Sequence, residues 1–116
     1  WLSVISSAPG EQGHVDGARA DGLTASRAAA PAAVLLDPQG TVGKAYDART
    51  TPHMYVIDAR GVLRYAGGID SIASAKVEDI AKASPLFKTA MESVVKGDTV
   101  AQASTRPYGC GVKYKS

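Results

Sequence analysis

The 116-residue chain has the size of one ordinary domain. Hydrophobic residues make up 45% of it, but 20 residues are alanine and only 23 are Val, Ile, Leu or Phe, so we expect a thin core. A net charge of +2 and scattered tyrosines offer no basic, aromatic surface of the kind that binds nucleic acid. No apolar run reaches the roughly 18 residues that a membrane span needs.

The first half of the chain reads as two strand and helix pairs. Residues 1–7 form an apolar run that predicts a strand, and the Pro-Gly pair at 9–10 ends it. An Ala-rich stretch predicts a helix over 14–30. A second short strand is expected over 33–36, and Thr41 is expected to be the N-cap of a short helix.

The second half begins with a hairpin signal. Two β-rich runs, 54–57 and 62–66, flank a turn that contains Asp58 and Gly61. The best helix comes later, with Ser84 as the predicted N-cap and Pro85 as its first residue. Its apolar positions recur at helical spacing up to Val95, and Gly97 follows as the residue that ends it. A weaker helix is expected between the hairpin and this one, with Ser74 as its cap.

This order of elements is that of an α/β domain, in which helices cover a mixed sheet. We expect the domain to occupy residues 1–97. Residues 98–116 have no periodicity and predict an extended C-terminal tail that contains Cys110.

The single cysteine, Cys110, excludes an intramolecular disulfide framework and a multi-cysteine zinc site. The two histidines, His14 and His53, lie far apart and form no metal-ligand pair. No metal site is therefore expected, and we expect no other cofactor.

Thr51-Pro52-His53 stands directly before the hairpin. Proline cannot donate to a sheet ladder, so Pro52 marks a strand start, an edge or a bend, and a cis peptide bond would suit a sharp turn into the strand. His53 at such a place is either a hydrogen-bonded structural residue or a group that tunes a nearby thiol.

The segment 51–61, Thr-Pro-His-Met-Tyr-Val-Ile-Asp-Ala-Arg-Gly, resembles the cis-proline loop and following hairpin of thioredoxin-like redoxin domains. Residues 1–10 resemble the strand after the active-site helix of that family, and residues 33–46 resemble its next strand and short helix. The ending Arg-Pro-Tyr-Gly-Cys-Gly-Val-Lys-Tyr, 106–114, is similar to the C-terminal extension of a bacterial redoxin subgroup. The resemblance covers nearly the whole chain in the right order.

The resemblance implies a thioredoxin-like mixed sheet flanked by helices and a reaction at a cysteine thiolate. It makes Pro52 the cis-proline, Thr51 the residue whose backbone pairs with bound substrate, and His53 their neighbour. The family's active-site cysteine motif precedes the strand that begins at Trp1, and this chain contains none of it. We therefore expect an N-terminal part to be missing, together with a central strand that would lie between 2–6 and 54–57, and a chain that is inactive by itself.

The implied function is thiol–disulfide exchange with a protein or small-molecule disulfide. Peroxide reduction is the alternative. Peroxiredoxins place an arginine near the start of the matching strand, but the corresponding position in this chain is Pro52, and the nearest upstream arginine is Arg49. A further alternative is a non-catalytic module that binds a protein partner. The subgroup is bacterial, which implies the cytoplasm or the periplasm.

Cys110 has three interpretations. It is an isolated thiol in a glycine-rich turn, a resolving thiol for the missing cysteine, or half of an intermolecular disulfide in a homodimer. Arg106 and Lys113 flank it and would favour its thiolate.

Overall fold

The computed structural model describes residues 1–74 and 76–115 and shows a small α/β protein. Its contacts divide the chain into two units, one built from residues 1–48 and 112 onward and the other from Arg49–Gly111. The residues after Gly97, expected to form a tail, thus contribute to both units.

The first unit contains a parallel pair of strands, β1 (Leu2–Ile5) and β2 (Ala33–Leu36), joined by helix α1 (Gly17–Ser26). The helix is shorter than the predicted 14–30. Asp16 starts it, because its carboxylate accepts a 2.7 Å hydrogen bond from the Arg19 amide. At the other end the chain leaves the helix at Ala28, which has a φ of +51°.

Helix α2 (Thr41–Ala45) follows β2, and a side chain that precedes its N-cap residue satisfies its first amides. Thr41 is its first residue rather than its N-cap, so that prediction is wrong. The N-cap is Gly40, with a φ of +74° that favours glycine, and the buried Asp37 carboxylate takes the capping role. Asp37 accepts hydrogen bonds from the Gly43 amide at 2.9 Å and from the Ser6 hydroxyl at 2.7 Å.

Desolvation raises the pKa of Asp37, but hydrogen bonds outweigh it. The donors are the amide of Gly43, the hydroxyl of Ser6, and the amides of Val42 and Thr41. Together they hold the pKa of Asp37 below its ordinary value, because they stabilise the ionised form.

The last residues of the chain complete the first unit. The Ala8 amide donates to the Lys113 carbonyl at 2.8 Å, and the Tyr114 hydroxyl donates to the Ala48 carbonyl at 2.7 Å. The Tyr114 ring lies so close to Gly43 that a Cβ there would be 2.6 Å from its hydroxyl oxygen. A side chain at position 43 would therefore force the Tyr114 ring to shift from its place on α2.

The second unit is built on the predicted hairpin, which is confirmed. Strands β4 (Met54–Ile57) and β5 (Leu63–Gly67) pair antiparallel, with an irregularity between Val56 and Ile57. The Asp58 carboxylate closes the turn by accepting from the amides of Val62 and Arg60 and from Arg64 Nε. These hydrogen bonds lower the pKa of Asp58, and the one from the Val62 amide has the largest effect.

Helix α4 (Leu86–Val95) packs on this hairpin, after the short helix α3 (Val77–Ile80). It begins one residue later than predicted, with Pro85 as its N-cap. Ser84 lies outside because its amide and carbonyl are both bonded to Ser71. Gly97 ends the helix as predicted, with a φ of +78°.

The core of the second unit is small. Val56, Tyr65 and Ala90 are buried, and the residues packed around them are partly buried: Met54, Leu86, Phe87, Val94 and Val100. In the first unit, the buried hydrophobic residues among those described are Ala8 and Ala20. The expectation of a thin core is confirmed, since three of these five buried side chains are alanine.

Strands β3 (Thr50–Thr51) and β6 (Cys110–Gly111) form a separate antiparallel pair in the second unit. Within the described part of the chain, β1 pairs only with β2 and β4 only with β5. A central strand supplied from outside these 116 residues stays a prediction.

Candidate functional site

The three residues singled out in the sequence lie where β3 leads into β4: Thr51 ends β3, and Pro52 and His53 form the loop. The Thr51–Pro52 peptide bond is cis, as suggested. Thr51 and Pro52 are exposed and His53 is half-buried. The loop thus presents its bend to solvent and keeps the histidine against the protein.

Two hydrogen bonds close this loop. The Thr50 hydroxyl donates to the Pro52 carbonyl at 2.8 Å, and the Arg49 amide donates to His53 Nδ1 at 3.1 Å. Because Nδ1 accepts, the neutral His53 ring carries its proton on Nε2. The ring also stacks on Tyr55, with centroids 4.7 Å apart and an interplanar angle of 18°.

Cys110 lies opposite the residue that precedes the cis-proline. In the β3–β6 pair, Cys110 is in register with Thr51, and Gly111 is in register with Thr50. The thiol is free and its side chain exposed. The structure therefore brings Cys110 next to Thr51, the residue before Pro52, although almost 60 positions separate them in the sequence.

Gly109 makes this pairing sterically feasible. It has a φ of +136°, and a Cβ there would collide with the Thr51 carbonyl oxygen and lie 2.9 Å from the carbonyl carbon. A Cβ at Gly111 would meet only the Arg49 carbonyl oxygen, at 3.9 Å, which is ordinary contact. Of the two glycines that flank Cys110, only Gly109 is required by close approach.

The residues before Gly109 are tied to the rest of the second unit. The Tyr108 hydroxyl donates to Asp70 Oδ1 at 2.5 Å, and the Ile72 amide donates to the same oxygen at 3.1 Å. The hydrogen bond to Asp70 raises the pKa of Tyr108, and desolvation and the charge of Asp70 add to the shift, because all three disfavour a phenolate. Tyr108 therefore holds the chain one residue before the crowded glycine.

Further upstream, Thr105 is locked to the end of β5. The Thr105 hydroxyl lies 2.6 Å from the Tyr65 hydroxyl and accepts a 3.1 Å hydrogen bond from the Gly68 amide. The Tyr65 hydroxyl in turn donates to the Gly68 carbonyl at 2.5 Å. A Cβ on Gly67 would collide with the Thr105 hydroxyl. Ser104 also forms a parallel bridge with Ala66. Residues 103–111, here called the tail segment, are thus fixed along β5 and up to β3.

The Gly67-Gly68 pair gives room to this segment. A Cβ on Gly68 would lie 3.0 Å from the Arg106 carbonyl oxygen and 3.7 Å from Pro107 Cα. The glycines are therefore explained by close backbone approach.

Sequence reasoning missed Asp70, Tyr108 and Gly109 as parts of the site. Asp70 accepts from the Ile72 amide two residues later, as turn carboxylates commonly do, so its local sequence does not point to the distant Tyr108. The signal available was the Gly-Cys-Gly run at 109–111, because a glycine beside a cysteine can mark close backbone approach.

Among residues 1–74 and 76–115, no three His, Cys, Asp or Glu side chains gather into a group that could hold a metal ion. None of the helices in this described part is long and apolar enough to span a membrane.

No family model matches the chain, and no curated protein matches it either. Solved structures do. A hypothetical protein from Sinorhizobium meliloti 1021 is similar over 99% of this chain and 61% of its own, with a TM-score of 0.83 and 22% identity. An uncharacterized conserved protein from Geobacillus kaustophilus is similar over 98% of this chain and 59% of its own, with a TM-score of 0.78 and 21% identity. The chain thus spans about three fifths of these neighbours, and the likeness shows a shared fold.

Proposed function

We propose that the chain is part of a thioredoxin-like redoxin domain that takes part in thiol–disulfide exchange. The observation that carries this proposal is the register of Cys110 with Thr51, next to cis-Pro52. It puts the single thiol of the chain at the loop that the family resemblance assigns to bound substrate.

In the proposed reaction, a cysteine outside these 116 residues attacks a substrate disulfide, forming a mixed disulfide and releasing one substrate thiolate. The Cys110 thiolate then attacks the protein sulfur of that mixed disulfide. One S–S bond breaks and one forms, and the second substrate thiolate leaves and takes a proton from solvent. Two electrons pass from the two protein thiols to the substrate, and an external dithiol reductant restores them.

The loop residues have separate roles in this scheme. The Thr51 backbone offers strand hydrogen bonds to an extended peptide, as in β-strand addition. Pro52 shapes the bend beside it. His53 follows as the neighbour that the resemblance names, and its ring stacks on Tyr55.

The test is turnover of a disulfide substrate by the full-length protein that contains this chain, with insulin as substrate and dithiothreitol as reductant. At limiting dithiothreitol, Cys110→Ser should slow turnover, because only the reductant can then resolve the mixed disulfide. Gly111→Ala, which leaves the thiol and meets no close atom, should keep turnover within about twofold of wild type. Full activity of Cys110→Ser would refute the resolving role.

The alternatives give different outcomes in the same preparation. Consumption of hydrogen peroxide without insulin reduction would indicate a thiol peroxidase. An intact fold with neither activity would indicate a binding module that uses the same strand edge.

A further inference from the structure

The edge of β3 is already occupied in this chain. Gly111 and Cys110 pair with Thr50 and Thr51. The proposed function assigns substrate pairing to Thr51. The occupying strand is held on its N-terminal side by Tyr108 on Asp70 and by Thr105 on Tyr65. A peptide that pairs with Thr51 on this same edge must therefore first displace residues 109–111.

The geometry of the occupied edge also limits what can replace them. In this register the residue before the cysteine faces the Thr51 carbonyl, and a Cβ at that position would collide with it. An L-residue other than glycine also rarely adopts the φ of +136° found there. The residue after the cysteine has no such restriction, since a Cβ at Gly111 would meet its nearest atom at 3.9 Å.

We infer that residues 109–111 are an internal occupant of the β3 edge that competes with substrate, and that the edge accepts extended peptides with glycine directly before the cysteine. The inference rests on the proposed function for the identity of the competitor, a cysteine-containing peptide. The competition itself is a matter of backbone pairing, so it needs no thiol and can be measured without turnover.

The experiment measures peptide binding to the full chain by fluorescence anisotropy. Two labelled peptides carry the sequence of residues 106–114 with Cys110→Ser, so that no disulfide can form. One keeps the glycine at position 109, and the other carries Gly109→Ala. The proteins are wild type, Gly109→Ala, which disfavours its own tail pairing, and Gly111→Ala as the matched control.

The glycine peptide should bind the Gly109→Ala protein at least about tenfold more tightly than wild type, because apparent affinity rises with the fraction of open edge. It should bind Gly111→Ala and wild type within about twofold of each other. On the Gly109→Ala protein, the alanine peptide should bind at least about tenfold more weakly than the glycine peptide.

Equal affinity of the glycine peptide for the Gly109→Ala and Gly111→Ala proteins would overturn the competition. Equal affinity of both peptides for the Gly109→Ala protein would overturn the glycine requirement. If circular dichroism shows that the Gly109→Ala protein does not fold, the Tyr108→Phe protein takes its place. It is then compared with Gly111→Ala for the glycine peptide, and its affinities for the glycine and alanine peptides are compared with each other. If the full-length protein reduces insulin but either binding comparison fails, this inference is wrong and the proposed function stands. If both binding comparisons come out as expected but insulin is not reduced, the proposed exchange reaction is wrong and this inference stands.

Discussion

The Tyr108 hydroxyl donates a 2.5 Å hydrogen bond to the Asp70 carboxylate, which lies 38 positions earlier in the chain. It fixes the backbone just before Gly109 and so helps to hold the strand that carries Cys110. Tyr108→Phe should speed hydrogen exchange of the amides in the tail segment by about fivefold, because local opening then breaks one bond fewer. Asp70→Asn, which keeps a weaker acceptor, should give a smaller increase. Unchanged exchange in both variants would contradict this anchoring role.

The same contact has a predictable pH dependence. Asp70 raises the pKa of Tyr108, so the folded state favours the protonated phenol. The stabilising contribution is complete below the ordinary tyrosine value of about 10 and is lost as the pH rises through the higher folded value. Absorbance near 295 nm should show Tyr108 ionising at lower pH in Asp70→Asn than in wild type. An identical titration in the two proteins would exclude the contact in solution.

Tyr65 and Thr105 should be energetically coupled. Tyr65 is 1% exposed, and its hydroxyl contacts both the Gly68 carbonyl and the Thr105 hydroxyl. Tyr65→Phe leaves that carbonyl without this donor, so we expect a loss of about 1–3 kcal/mol in the free energy of unfolding. In a double-mutant cycle with Thr105→Val, the two losses should fall short of additivity by at least about 0.5 kcal/mol. Strict additivity in urea unfolding would show that the hydroxyls do not act together.

Two glycine substitutions should change stability in opposite directions. Gly67→Ala places a Cβ against Thr105, with its carbonyl oxygen only 2.6 Å away, so unfolding should become easier by about 1–3 kcal/mol. Gly22 lies within α1, where a Cβ would meet nothing within 4 Å. Gly22→Ala should therefore stabilise by about 0.5–1 kcal/mol. Thermal unfolding of the two variants measures both changes in stability. A Gly22→Ala protein less stable than wild type would contradict the helical conformation of residue 22 in α1.

Asp37→Asn should destabilise the first unit, since an amide cannot replace a carboxylate that accepts from four donors. We expect a loss of about 1–2 kcal/mol near neutral pH. The folded pKa lies below the ordinary value of 3.8, so this contribution is present above that value and disappears as the pH falls through the folded pKa. Denaturation curves of variant and wild type should converge in acid. Asp21→Asn, at an exposed position of α1, is the control and should leave the free energy of unfolding near neutral pH unchanged.

The elements that local patterns specify were predictable. The hairpin around Asp58 and Gly61 and the apolar stripe of α4 each carry their own signal in consecutive residues. Helix starts were less predictable, because distant groups compete for the capping role. Asp37 reaches the amides of α2 that Thr41 was expected to serve, and Ser71 engages the backbone of Ser84.

The site was predictable only in its parts. The resemblance pointed to Thr51, Pro52 and His53, and thiol chemistry pointed to Cys110, but nothing in the sequence placed the thiol opposite Thr51. A strand of two residues has no periodicity to detect, and its partner is almost 60 positions away. Such pairing is decided by tertiary fit, here by the absent side chain of Gly109 and the anchor of Tyr108 on Asp70.

The contact of Tyr114 with Ala48 has a consequence for synthesis. The two residues are 66 positions apart, and the Lys113 carbonyl reaches back further still, to Ala8. A ribosome makes residues 1–48 well before Tyr114 exists, so α2 emerges with the surface around Gly43 uncovered. The first unit, although it begins the chain, therefore completes its packing only after the second unit has been translated.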